Sequence, residues 1–124
     1  MTFNIGGKDC TFKFGFGFMK EINKTDKVKE NGIEKEVGMR TAIAGIIDGD
    51  VSDLAKVLFY GSRTEEVQPT MKEIEAFIED ENTDIEAVFE TVLDFLKKAN
   101  VTKKTTMWLV NYWEKQMEKE KQKQ

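Results

Sequence analysis

The sequence predicts an α+β fold, predominantly α, with an N-terminal β-hairpin packed on a compact bundle of about five to six helices. Three observations lead there. Residues 2–14 alternate apolar and polar with period two around a Gly6-Gly7 pair. From Met39 onward, apolar residues recur at three- and four-residue steps. With 124 residues, 40% of them apolar, one domain can bury a core of its own.

Thr2–Ile5 and Cys10–Phe14 read as strands, with Gly6-Gly7-Lys8-Asp9 as the turn between them. Phe3 and Ile5 share one face of the first strand; Cys10, Phe12 and Phe14 share one face of the second. Gly15 and Gly17 break the strand, and Phe18, Met19 and Ile22 follow at helical spacing. A short helix is therefore expected to cover the hairpin, because a lone hairpin is marginal in water. Segment 1–23 is read as hairpin plus helix. Lys24 to Val37 is dominated by lysine and glutamate around an Asn31-Gly32 turn, and reads as either a mobile loop or a short second ribbon.

The helical body spans 38–117. Its first helix carries Ala42, Ile43, Ile46 and Ile47 and ends near Asp48-Gly49. Asp50 is a good N-cap for the next, whose stripe is Val51, Leu54, Ala55, Leu58 and Phe59, closing at Gly61. Thr70 with Glu73 forms a capping box that opens Met71 to Glu79, and Thr83 with Glu86 forms another. The helix after it has the cleanest stripe in the chain: Ile85, Val88, Phe89, Val92, Leu93 and Leu96. Asn100 ends it, and Thr102 can cap a last helix with Leu109, Trp113 and Met117 on one line and Trp108 with Tyr112 beside it. The all-polar end, 118–124, reads as a disordered tail. No linker divides the chain, so 1–124 is read as a single domain.

Composition narrows the chemistry. There is no histidine, so serine or cysteine nucleophiles lack their usual base and most catalytic zinc sites lack their usual ligands. Cys10 stands alone on the apolar alternation of a strand, which reads as core filler rather than a reactive thiol. No apolar run approaches membrane-spanning length, and no export-signal pattern opens the chain. These features point to a reducing, cytoplasmic setting.

Each constellation that hints at a site has a plainer reading. Gly15-x-Gly17 lacks the further glycines or Gly-Lys-Ser/Thr of a phosphate loop, so it reads as a strand-to-helix corner. Asp48-Gly49-Asp50-Val51-Ser52-Asp53 departs from the calcium-loop spacing and reads as helix capping. The carboxylates between Glu65 and Glu90 are spread over exposed helix faces; they suit a recognition surface better than an acid/base pair. The chain is acidic overall, net −4, and lacks a basic groove motif, which speaks against nucleic acid.

That net charge hides a strong polarity. Residues 65–95 hold eleven acids against one lysine, a net −10, while 96–124 hold eight lysines against three glutamates, +5. The basic end could be steered onto an acidic partner or onto a neighbouring copy's acidic middle, a homo-oligomer. The last helix also carries both tryptophans. One reading packs Trp113 and Leu109 into the core. The other makes Trp108 and Tyr112, with Lys103, Lys104 and Lys115 around them, a protein-binding face.

In order, the hairpin-plus-helix start, Met39-Arg40-Thr41-Ala42-Ile43, Gly49-Asp50-Val51-x-x-Leu54-Ala55, Leu58-Phe59-Tyr60-Gly61-Ser62-Arg63-Thr64 and Pro69-Thr70-x-x-Glu73-Ile74 form a series. From Thr2 to Lys98 it resembles the tail assembly chaperones of long-tailed phages and prophages of low-GC Gram-positive bacteria. The resemblance implies a non-enzymatic protein, without cofactor or metal, that coats the tape measure protein and helps tail tube protein subunits polymerise around it. It implies action in the host cell cytoplasm and absence from the mature virion. It also implies a longer frameshifted product, with which the Lys/Glu/Gln end is compatible. The rival expectation is a structural or tail-completion protein retained in the particle.

Overall fold

The computed structural model describes residues 1–122. Two small antiparallel hairpins alternate with, and are then followed by, six helices. The first hairpin pairs β1 (Thr2–Ile5) with β2 (Lys8–Thr11), placing Phe3 opposite Cys10 and Ile5 opposite Lys8. Gly6 and Gly7 both have positive φ, 63° and 76°, so they alone make a two-residue turn whose twist matches the strands. The second strand therefore starts at Lys8 rather than Cys10, and ends at Thr11. The alternation nevertheless continues: Cys10, Phe12 and Phe14 are all buried.

Just after β2, Phe12 N still donates to Met1 O at 3.3 Å, but from Lys13 the chain is held by the body. Lys13 N donates to Gly61 O at 2.8 Å. A Cβ on Gly61 would lie 2.9 Å from the Phe14 ring, so the strand exit can approach only a residue without a side chain. Helix α1 (Phe16–Asn23) begins one residue before Gly17, which sits inside it rather than breaking the strand. It packs against α2 (Gly38–Asp48) and α3 (Val51–Ser62). The hairpin's neighbour is α4 (Met71–Glu79): Phe77 meets Phe3 at 5.7 Å between ring centroids, and Lys8 pairs with Glu73 at 3.4 Å. The expected cover for the hairpin thus comes from α4, while α1 joins the body through buried Phe18 and Ile22.

Lys24 to Val37 resolves into a second ribbon, β3 (Lys27–Glu30) with β4 (Ile33–Glu36), turned by Asn31 and Gly32 at φ 52° and 78°. Both strands are exposed throughout. Opposite charges face each other across it, Lys27 with Glu36 and Lys29 with Glu34, and Lys27 also bridges to Glu34 at 3.2 Å.

Local signals set most helix ends. Asp50 accepts from Ser52 N and Asp53 N at the start of α3, and Thr70 with Glu73 closes a reciprocal capping box at α4. Asn23 accepts from Met39 N at 2.9 Å, so the end of α1 caps the start of α2. The second predicted box does not form. Asp84 caps α5 (Ile85–Lys98) through Ala87 N, and Thr83 donates back to Phe77 O at 2.7 Å. Helix α6 (Lys103–Gln122) runs through Glu118, past the point where a disordered tail was expected; 123–124 lie outside the described residues. The core joins Ile5, Phe18, Ile22, Ile43, Leu54, Leu58, Ile74, Val92 and Leu96, all fully buried. Among the described residues no helix is long and apolar enough to cross a membrane.

Candidate partner-binding surface on the last helix

Helix α6 is anchored at its start. Thr102 and Thr106 are fully buried; Thr102 Oγ1 donates to Leu96 O at 2.7 Å and Thr106 Oγ1 to Thr102 O at 2.8 Å. The Thr102 hydroxyl thus fastens the end of α5, a donor's role instead of the acceptor's role of an N-cap. From there α6 runs beside α2 in the same direction. Thr105 and Trp108 lie by Arg40, and Leu109, Tyr112 and Trp113 lie by Ala44, Ile47 and Asp48. Helix α2 ends at Asp48 while α6 continues to Gln122, so its far half outruns the body beneath it.

That mismatch bears on how the aromatic end packs. Leu109 packs against the core. Trp113 does not: it is 42% exposed although it continues the inward-facing line of Thr106 and Leu109. Trp108 is 59% exposed and Tyr112 53%, their rings stacked at 5.7 Å and 12°. Arg40 Cζ lies 5.9 Å from the Trp108 ring, on the side toward α2. Helical spacing puts Lys104, Trp108, Tyr112 and Lys115 along one face. Lys103 is exposed on a different side.

Arg40 was missed from sequence, since nothing local marks a residue on α2 as a neighbour of Trp108. So was a grouping of acids. Leu109, Tyr112 and Trp113 form one wall of a groove of about 380 Å³ whose rim is Asp48, Asp50 and Asp53. Asp53 lies against Gly45, where a side chain would collide with its carboxylate. Burial, with the neighbouring Asp50 charge, pushes the Asp53 carboxyl above the usual aspartate range. A separate groove of about 480 Å³ opens between α3 and α4, lined by Val51, Ala55, Tyr60, Met71 and Ile78 among others.

Other singled-out residues are architectural. Cys10 is buried, its thiol pushed up by that burial and near Ile5 O and Lys8 O. In the Phe59-Tyr60-Gly61-Ser62-Arg63 run, Ser62 Oγ donates to Phe59 O, and Arg63 lies 4.1 Å over the Phe59 ring while donating to Ser62 Oγ and Pro69 O. This knot fixes the exit of α3 and the corner leading to α4. Among the described residues, no three Asp, Glu or Cys side chains converge to hold a metal ion.

A family model for phage tail assembly chaperone protein, TAC, matches residues 2–109. The chain belongs to this family. No curated protein and no solved structure matches it. In this tail assembly chaperone the matched region runs from β1 into the second turn of α6. Lys103, Lys104 and Trp108 fall inside it, whereas Tyr112 and Lys115 lie beyond.

Proposed function

We propose that the protein is a non-enzymatic chaperone that binds the tape measure protein, keeps it soluble and helps tail tube protein subunits assemble around it. It acts in the host cell cytoplasm and is absent from the mature virion. One observation carries the reading. Of eleven exposed large apolar side chains among the described residues, five (Met107, Trp108, Tyr112, Trp113 and Met117) sit on α6, where two rings stack in the open. The stacked Trp108 and Tyr112, with Trp113 beside Tyr112 in the same groove, suit covering an apolar stripe on a long partner helix. Exposed Lys104 and Lys115, on the same face, add a charged surround that steers encounter and rejects wrong partners, while Lys103 lies on a different side.

Mass spectrometry of purified particles separates this role from that of a retained structural or tail-completion protein. The chaperone is expected to be missing from the particle; stoichiometric recovery there would overturn the reading.

A further inference from the structure

Helix α2 carries its charges against its own dipole. Arg40 lies in its first turn, where a helix prefers acids, and Asp48 is its last residue, where a helix prefers bases. Both side chains are exposed, and neither belongs to an ion pair among the described residues. Their neighbours reinforce each end. Arg40 shares a hollow with Lys104 and Trp108, and Asp48 shares the 380 Å³ groove with Asp50, Asp53 and Trp113. Tyr112 bridges the two, stacked on Trp108 and lining the acidic groove. The result is an aromatic strip with a cationic end and an anionic end.

Eight residues separate Arg40 from Asp48, about 12 Å along α2, or roughly two turns of any helix laid beside it. We propose that the α2–α6 strip seats one amphipathic helix whose apolar face covers Trp108, Tyr112 and Trp113, with an Asp or Glu at Arg40 and Lys104 and a Lys or Arg about two turns away in the Asp48–Asp53 groove. The strip therefore selects its partner segment by charge polarity as well as by greasiness. A helix with the same sign at both ends meets repulsion at one of them. The inference rests on the protein-binding reading and narrows it to a partner segment of stated chemistry.

The test uses three fluorescent helical peptides of about 18 residues with one shared Leu/Met face. The first carries Glu and, seven residues on, Lys; the second carries Glu at both places; the third carries Lys at both. Anisotropy at about 50 mM salt, where surface charges are least screened, ranks their Kd values. On the natural protein the mixed peptide should bind about five- to tenfold tighter than either other. Arg40→Glu leaves Lys104 to cancel it, so the mixed peptide should lose its lead over the double-Lys peptide; Asp48→Lys cuts the groove from three acids to a net of one, so the lead over the double-Glu peptide should shrink. Both substitutions agree with the α2 dipole, and Asp48→Lys also relieves Asp50 and Asp53, so that variant should melt higher than the natural protein.

Unchanged Kd ratios across the three proteins, or no preference for the mixed peptide, would sink the strip. So would a dimer in sedimentation that either substitution dissociates, because the seat would then belong to a second copy. Tape measure binding is measured separately. If it persists while the peptide ranks stay flat, the chaperone reading survives and only the polarity claim falls.

Discussion

Replacing Trp108 and Tyr112 together with alanine should separate binding from folding. The two rings are 59% and 53% exposed, and each side chain offers about 200 Å² when bare. Some 220 Å² of aromatic surface is thus open to a partner. At about 25 cal/mol per Å² its complete covering is worth about 5–6 kcal/mol at most, before ordering costs are subtracted. A realised loss of about 3 kcal/mol is the size of a good hot spot and weakens Kd more than 100-fold. The fold loses far less. The stack contributes about 0.5–1.5 kcal/mol, while two alanines regain about 1 kcal/mol of helix propensity. Calorimetric titration against the tape measure protein and a thermal melt by circular dichroism read the two effects. The reasoning is refuted if affinity is unchanged, or if the melt drops by much more than about 5 °C.

Leu96, fully buried, should cost about 2–5 kcal/mol on truncation to alanine, and half-buried Leu93 clearly less, both read from urea midpoints. Gly61→Ala should destabilise by about 1–3 kcal/mol, because the added methyl meets the Phe14 ring at 2.9 Å and the Lys13–Gly61 bond fixes the backbone there. Two carboxylates should titrate in opposite senses. Glu73 is held below the usual range by the Thr70 N–H and then by Lys8, so its stabilisation is present near neutrality and lost as pH falls below about 4.3; Glu73→Gln should flatten that acid limb. Asp53 is raised by burial and by Asp50, so the folded state holds its proton more tightly. Its stabilising influence is present below the ordinary aspartate value and lost as pH rises through the folded one. Asp53→Asn should remove that slope from melts run between about pH 3 and 6.

Features governed by neighbours in sequence were legible. The Asp50 cap, the Thr70–Glu73 box and the apolar stripes of α2, α3 and α5 all depend on residues within one or two turns. Errors arose where two local solutions competed or where a distant element decided. Asp84 outbid Thr83 as the cap of α5, since a carboxylate at that position accepts from Ala87 N while Thr83 is drawn back to α4. The hairpin turn closed on Gly6 and Gly7 alone, moving β2 two residues earlier. Nothing in Phe16–Asn23 states that α4, almost fifty residues later, covers β1. The same limit applies to the surface. Trp108 and Tyr112 were legible as a face, but Trp113 looks like core until the lengths of α2 and α6 are compared. Arg40 and the acids at Asp48, Asp50 and Asp53 join that face only because α2 lies along α6. The family could be read from the order of motifs, and several of those motifs, Gly61-Ser62-Arg63 above all, are joints of the scaffold rather than parts of a site.

Co-expression with the tape measure protein, followed by purification through a tag on that partner, bears most directly on the chaperone role. The partner alone is expected in the insoluble fraction. With this chain present it should move to the soluble fraction and carry the chain along, and the Trp108→Ala/Tyr112→Ala variant should lose that effect. A partner that stays insoluble with no chain bound, or one rescued equally by the variant, would contradict the assignment of α6 as the covering surface.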